Sequence, residues 1–348
     1  MSNILFIGNA IDPLGKERYQ LISENVKYNQ IYFLDNGFNN INKNYFFSYK
    51  KKNKYIDSFY LFFKILQIIN SQKINVIHFH GAFQVFLNLL PFFISNKIKI
   101  IVTVNGSEIN QNYKGYKKYF VKYLLKKSKY ITVKSNFMKQ LVLNIINNSA
   151  KIVNLNWGVD DQLFKLTNNR INSEKVNIIS FRATKEIYNI DKIFNAIFNL
   201  KTKFSNINFT YVEFNKDQNI NLDLSIVDNY FYNLSKKELF DLLANQDIMI
   251  SIPSFDGFAT SIMESLAIGV KPCISNIVSY KNEELTNLVS FIDLSNEKNI
   301  EIILSKNIEN IELIREEVTM RKEFAFINYS RKEQIQILKR IYNKMENQ

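Results

Sequence analysis

The residues best placed to do chemistry lie in Ser254-Phe255-Asp256-Gly257-Phe258-Ala259-Thr260-Ser261-Ile262-Met263-Glu264, where two carboxylates flank a glycine-containing stretch. The segment follows an apolar run ending at Ile252 and leads into the helical pattern Ile262–Ile268, so a loop opens a helix. Such a start offers unpaired N–H groups and the positive end of the helix dipole to an anion, which suits a diphosphate. Asp256 falls on the loop and Glu264 about two turns along, both able to face one ligand. From spacing alone, an N-terminal capping acid at Asp256 and a solvated Glu264 fit equally well.

A second group follows another apolar run: Phe181-Arg182-Ala183-Thr184-Lys185-Glu186-Ile187-Tyr188-Asn189. Arg182 presents a planar fork of donors suited to phosphate oxygens, and Lys185 adds a point charge. Taken alone, an Arg at a strand end more often makes a surface ion pair. Asn189 tolerates a left-handed turn before the helical stretch Ile190–Leu200. In the first half, Val76-Ile77-His78-Phe79-His80-Gly81 puts two histidines on one face of a strand. No third ligand accompanies them, so they are read as polar lining rather than a metal pair. Thr103-Val104-Asn105-Gly106-Ser107-Glu108 ends the next run with groups that suit sugar hydroxyls or a plain turn. Gly8 and Gly15 stand too far apart for the G-x-G-x-x-G spacing of a dinucleotide loop.

Parallel βα units must position these groups, because short β-branched or aromatic runs alternate with longer helical-period segments. The runs of the first half are Ile4–Ile7, Ile31–Leu34, Val76–Phe79, Ile98–Val104, Tyr130–Val133 and Ile152–Leu155. Those of the second are Val176–Phe181, Phe209–Phe214, Asp247–Ile252, Pro272–Ser275 and Val289–Ile292. Continuous apolar runs belong to sheets covered on both faces. The expected organisation is a Rossmann-like domain over residues 1–155, a linker over 156–175 and a second Rossmann-like domain over 176–330. A helix over 331–345 is expected to pack back on the first domain. Ligands of such sheets bind beyond the carboxyl ends of the strands, where the groups above lie.

At 348 residues with 46% apolar and 22% charged side chains, the chain can bury a large core, which excludes disorder as its main state. A single cysteine excludes an internal disulfide framework, and two histidines leave little for a Cys/His metal site. Residues 1–8 read as a first strand rather than a signal peptide. The apolar stretches Phe59–Ile69 and Ala82–Ile94 fall short of the ~20 residues that span a bilayer. The net charge of +13 is unevenly spread: residues 1–150 carry +15 and the remainder −2. Its densest part is Tyr113–Tyr130, in which seven lysines surround Tyr116, Tyr119, Phe120, Tyr123 and Leu124 at helical spacing. Basic helices with aromatic residues favour anionic lipid surfaces. A helix packed by its aromatic stripe, or a nucleic-acid partner, fits the same composition. Tyr49–Tyr55, with four more lysines, could extend that face.

Taken together, these loops resemble the family 4 retaining nucleotide-sugar glycosyltransferases, of GT-B architecture. The resemblance runs over nearly the whole chain and is most specific in residues 176–285. Asp256-Gly257 through Glu264 matches the family's E-x7-E element, with Asp for the first acid, and Glu264-Ser265-Leu266-Ala267-Ile268-Gly269-Val270-Lys271-Pro272 looks like its continuation. Asn156-Trp157-Gly158-Val159-Asp160 is similar to the P-N-G-V-D linker. Asn105-Gly106-Ser107-Glu108 aligns with H-G-S-D, and Tyr232 stands before Ser235 where a glycine is common.

The resemblance implies two facing Rossmann-like domains with a cleft between them. It gives Glu264 the ribose hydroxyls and Asp256 the hydroxyls of the donor sugar. The backbone of Gly257, Phe258 and Ala259, with Ser261, lies near the donor, and Arg182 holds the diphosphate. The family's partner lysine has no counterpart, leaving Tyr188 as a variant and Lys185 as a substitute. Gly15 matches the first-loop glycine. Asn105 and Glu108 stand at catalytic positions, Asn105 able to hydrogen-bond but not to act as a base, with His80, Gly106 and Ser107 on the acceptor side. The implied activity is metal-independent hexosyl transfer from a nucleotide sugar, expected to be a UDP sugar, with retention and with no resident cofactor. The implied acceptor is a membrane-associated glycan or glycolipid, as in polysaccharide or lipopolysaccharide biosynthesis, met at the cytoplasmic face of the inner membrane. Nucleic acid is not the expected partner. The rival reading is a non-catalytic GT-B-like protein that binds anionic polymers, nucleic acid included; a sugar-nucleotide epimerase shares the cleft but lacks its carboxylates here.

Overall fold

The computed structural model describes residues 2–8, 13–35, 46–47, 54–81, 87–106, 108–110, 113–166, 173–214, 222–281 and 283–346. Along the first half run β1 (Asn3–Gly8), α1 (Pro13–Asn25), β2 (Gln30–Asp35), β3 (Phe46–Phe47), α2 (Lys54–Ser71) and β4 (Val76–His80). A 3-10 turn at Leu87–Phe92 leads to β5 (Lys99–Thr103), α3 (Lys117–Lys127), β6 (Tyr130–Val133), α4 (Asn136–Ile146) and β7 (Ile152–Asn154). These strands form one parallel sheet in the order β3-β2-β1-β4-β5-β6-β7.

The second half holds β8 (Val176–Ser180), α5 (Ile190–Lys203), β9 (Ile207–Glu213), β10 (Asn229–Tyr232), α6 (Lys236–Leu243) and β11 (Ile248–Ser251). It continues with α7 (Thr260–Ile268), β12 (Lys271–Ser275), α8 (Val278–Lys281), β13 (Ser290–Ile292), α9 (Lys298–Glu309), α10 (Ile311–Glu316), α11 (Val318–Tyr329) and α12 (Arg331–Glu346). Its parallel sheet has the order β10-β9-β8-β11-β12-β13. Every apolar run predicted as a strand is one. The two strands not predicted are both at sheet edges. β3 is two residues long, and β10 is largely exposed, so neither needs the continuous apolar run of a strand covered on both faces.

The chain divides into two compact units, Met1–Trp157 with Gln334–Gln348, and Gly158–Glu333. In the first, side chains alternate along β1. Leu5 and Ile7 pack with Ile77, Leu61 and Leu124, while Ile4 and Phe6 pack with Ile22, Leu338 and Tyr342. In the second, Ile179 and Met249 face Ile262 and Leu266, whereas Ile178 and Ile250 face Ile193 and Leu304. The stretch expected as a linker is in part core: Val159 and Leu163 are buried in the second unit. Gly158 has φ +69, and a Cβ there would meet the Arg331 backbone at 2.6 Å, so only glycine lets the chain pass α12 this closely.

Two buried arginines tie the helices of the second unit to its sheet. Arg315 Nε meets Asp247 Oδ1 at 3.0 Å, and the other Asp247 oxygen accepts from the Asn177 backbone at 2.9 Å. Arg321 is fully buried; its Nε donates to the Gly269 carbonyl at 2.9 Å, fixing the C-terminal end of α7. Among the described residues no helix is long and apolar enough to cross a membrane.

Candidate functional site

The candidates gather in two groups, one in each unit, and each lies where the strand order of its sheet reverses. In the second unit that point is between β8 and β11. The crevice outside such a pair is where open α/β sheets bind ligands.

Arg182 follows β8 and is held from several sides. Its Nε donates to Ser251 Oγ at 2.8 Å, at the end of β11, and its Nη2 donates to Asp256 Oδ2 at 3.3 Å. Its Cζ lies 5.1 Å from the centre of the Tyr188 ring. Asp256 is therefore an ion-pair partner of Arg182 and not the cap of α7. That cap position is Ala259, in extended conformation and with no side-chain hydrogen bond, so no capping side chain covers the amides of the first turn. The Ser261 hydroxyl, buried in that turn, has no hydrogen-bond partner among the described residues. Glu264 follows on the same helix, 9% exposed.

The loops carrying these groups are stitched together. Asn189 adopts the left-handed conformation expected of it, with φ 50°, and its Nδ2 donates to the Ile252 carbonyl at 2.7 Å and to Ser254 Oγ at 2.9 Å. The Ser254 amide donates to the Ile187 carbonyl at 2.8 Å, and Ser275 Oγ to the Pro253 carbonyl at 2.7 Å. Gly257 is half-buried on this loop. Phe258 is packed in the core against Tyr280 and Tyr329, so only its backbone is available to a ligand. Burial, and next the charge of Asp256, push the Tyr280 hydroxyl well above its ordinary pKa, keeping it neutral. Lys185 is exposed beside the turn Glu186–Tyr188, with no hydrogen bond or ion pair to Arg182 or Asp256.

Sequence reasoning missed the network behind Arg182. Glu213, at the end of β9 and 3% exposed, accepts from Tyr230 at 2.6 Å and from the Thr184 hydroxyl. Tyr211 donates to the Arg182 carbonyl at 3.3 Å. The hydrogen bond to Glu213 pushes Tyr230 up to about 12. The available signal was a lone carboxylate inside the apolar run Phe209–Phe214.

In the first unit the reversal falls between β1 and β4, and His80 and Asn105 lie at the ends of β4 and β5. They are joined by Arg18 of α1, which is 3% exposed and which sequence reasoning also missed. Arg18 Nη1 lies 2.8 Å from His80 Nε2 and donates to Asn105 Oδ1 at 2.9 Å, while its Cζ lies 5.2 Å from the Trp157 ring centre. Burial first, then the Arg18 charge, lower the His80 pKa well below 6.5, so its ring is neutral and can accept from Arg18. His78 is a core histidine. Its Nδ1 meets the Tyr342 hydroxyl at 2.7 Å and its Nε2 the Thr103 hydroxyl at 2.8 Å, and burial, then Arg18, push it down to about 3.

Glu108 is buried, with one carboxylate oxygen accepting from the Asn105 amide at 2.8 Å and the other from the Gly106 amide at 2.9 Å. It braces the loop that presents Asn105. Gly106 has φ +119, a conformation that only glycine adopts readily. Gly15 is buried in the first turn of α1. Ser107, the loop residues 9–12 and the lysine cluster 50–52 lie outside the described residues.

Residues 29–163 match the model of Glycosyltransferase Family 4. No curated protein matches the sequence. Among solved structures, HepE of Anabaena in complex with UDP-glucose superposes with a TM-score of 0.76 at 10% identity, covering 99% of this chain and 100% of that one. Sucrose-phosphate synthase of Thermosynechococcus elongatus superposes with a TM-score of 0.79 at 8% identity, covering all of both chains. A glycosyltransferase of Rickettsia africae gives 0.69 at 14% identity, covering 99% and 98%. The chain has the GT-B glycosyltransferase fold, and its first unit carries the Glycosyltransferase Family 4 match.

Proposed function

We propose that the chain transfers a hexosyl group from a UDP sugar to a hydroxyl of a membrane-associated glycan or glycolipid, with retention of configuration. The observation that carries this reading is the Arg182 cluster beside the uncapped start of α7, at the strand-order reversal of the second unit. HepE, which shares the fold, is seen with UDP-glucose.

The difficulty of the reaction is the charge that develops on the departing diphosphate. Fixed donors aimed at that charge lower the barrier without reorganising during the reaction. Arg182 supplies a guanidinium already oriented by Ser251, Asp256 and Tyr188, and the first-turn amides of α7 with Ser261 supply neutral donors. Lys185, exposed on the loop after Arg182, supplies a second positive charge for the phosphates. These groups can neutralise the leaving group without a metal ion. Asp256, with one oxygen on Arg182, keeps the other for a hydroxyl of the donor sugar, and Glu264 holds the ribose. In the first unit, Asn105 and neutral His80 orient hydroxyls, with Glu108 as the brace of Asn105 and Gly15 and Gly106 contributing backbone groups. Burial and the Arg18 charge make both histidines weak bases, so the reading assigns proton removal to neither.

The test is incubation with a panel of nucleotide sugars, reading release of nucleoside diphosphate with and without a lipid-linked glycan extract. Turnover of a UDP sugar, stimulated by the extract, is expected. No turnover and no nucleotide binding with any donor would overturn the proposal, and binding of anionic polymer alone would favour a non-catalytic role.

A further inference from the structure

The aromatic residues of the first unit do not all enter its core. Val121, Leu124 and Leu125 of α3 are buried, but Phe59, Phe63, Phe92, Phe93, Tyr116 and Tyr119 are each more than half exposed. They are also continuous. On α2, Phe59 contacts Phe63 with ring centres 4.8 Å apart, and Phe63 contacts Phe62 at 5.6 Å. Phe62, itself buried, contacts Phe93 of the 87–92 segment's end at 5.1 Å. The adjacent Phe92 stacks on Tyr123 of α3 at 3.9 Å, and Tyr119 lies one turn away on the same helix face. The result is a ridge of aromatic side chains standing on buried feet, of a kind that chains without an apolar partner rarely expose.

On α3 the charge around the ridge has one sign. Lys118 Nζ lies 5.1 Å from the Tyr119 ring centre and Lys127 Nζ 5.9 Å from that of Tyr123, and exposed Lys114, Lys117, Lys122 and Lys126 complete the rim. No acidic residue occurs between 109 and 150. The Phe59–Phe63, Phe62–Phe63 and Phe62–Phe93 pairs meet edge to face, at 71°, 89° and 84°. They form an apolar wedge rather than a row of open ring faces on which bases would stack. An apolar wedge with a cationic rim matches the boundary between acyl chains and anionic headgroups.

We propose that this ridge on α2, the 87–92 turn and α3 inserts into the surface of an anionic bilayer and holds the first unit there. The inference deepens the membrane-acceptor part of the function proposed above and rests on it, but does not depend on which sugar is transferred.

The test is co-sedimentation of the full chain with phosphatidylcholine vesicles, with and without phosphatidylglycerol as a major component. UDP binding and far-UV circular dichroism serve as controls on folding. Binding to the anionic vesicles only is expected. It should fall by about tenfold or more in Phe59→Ser/Tyr119→Ser and in Lys118→Glu/Lys122→Glu, with UDP affinity and the dichroism unchanged. The first pair removes apolar surface without touching the buried Phe62, and the second reverses the rim. Wild-type binding that is absent, or that survives both variants, overturns the proposal. So does dimerisation lost in the first variant, which would make the ridge an interface between copies, or tighter capture of single-stranded RNA lost in the same variants. Loss of UDP binding with vesicle binding intact would instead strike the transferase reading and leave the docking surface standing.

Discussion

Two buried histidines separate residue type from role. His78 and His80 share a strand face, as their spacing requires, yet His78 is engaged by Tyr342 and Thr103 while His80 meets Arg18 at the strand end. Nothing in the sequence distinguishes them, because the difference comes from α12 and α1, contributed by distant segments. Arg18 is hidden for the same reason: one arginine in a lysine-rich half carries no local signal until the fold buries it. The state of His78 has a consequence for stability. In the folded chain its pKa is pushed down to about 3, against an ordinary 6.5, so below that ordinary value the unfolded chain binds a proton that the folded chain does not. Stability is therefore lost as pH falls below about 6.5, by about 2 kcal/mol between pH 7 and pH 5 for this one group. Urea unfolding at both pH values should show that His78→Gln, although less stable at pH 7, loses about 2 kcal/mol less over the interval than wild type. Equal losses in the two chains would mean that His78 is already protonated when folded.

At the scale of elements, apolar runs buried on both sheet faces were legible without a partner, because covering both faces favours apolar residues along the whole strand. Edge strands escape that rule, which is why β10, with Tyr230 and Tyr232 turned to solvent, left no signature. The loop from 252 to 259 was legible as a phosphate-suited helix start, but its spacing could not tell a capping Asp256 from one paired with Arg182; that needed β8 beside β11. Asp247, at the head of the β11 run, shows the converse. It reads as an ordinary strand-end acid, and the fold makes it the buried partner of Arg315, with side-chain exposures of 1% and 5%. Replacing it by Ala would leave Arg315 charged in the interior and the Asn177 amide without its acceptor. Removing one partner of a buried pair costs about 3–5 kcal/mol. Asp247→Ala should show that loss in urea midpoint, and a change under about 1 kcal/mol would mean that Glu312 and the carbonyls of Ser173 and Lys175, which Arg315 also reaches, suffice to hold it.

At the scale of the whole molecule, the two halves differ in charge and in the kind of site they carry. The second unit, which carries a net acidic charge, holds the guanidinium, carboxylates and uncapped helix start that suit a nucleoside diphosphate. The strongly basic first unit holds Arg18 with the hydrogen-bonding groups of His80 and Asn105 at its sheet reversal, and an aromatic ridge elsewhere on its surface. The family match falls on residues 29–163, whereas the motif resemblance was most specific over 176–285, so each half contributes its own support. The charge imbalance was visible by counting, but the ridge was not: α3 read as one stripe, and only the fold shows which of its rings are buried and that Phe59, Phe63, Phe92 and Phe93 extend it. The central claim is that the second unit binds the donor nucleotide through α7 and the Arg182 loop. It is tested most directly by titration calorimetry of UDP into the full chain and into Glu264→Ala, with unfolding curves to confirm that the variant folds. The account predicts saturable binding to wild type and a loss of about tenfold or more in the variant, since Glu264 would no longer hold the ribose hydroxyls. No binding of UDP to wild type, or equal binding to both chains, would contradict it.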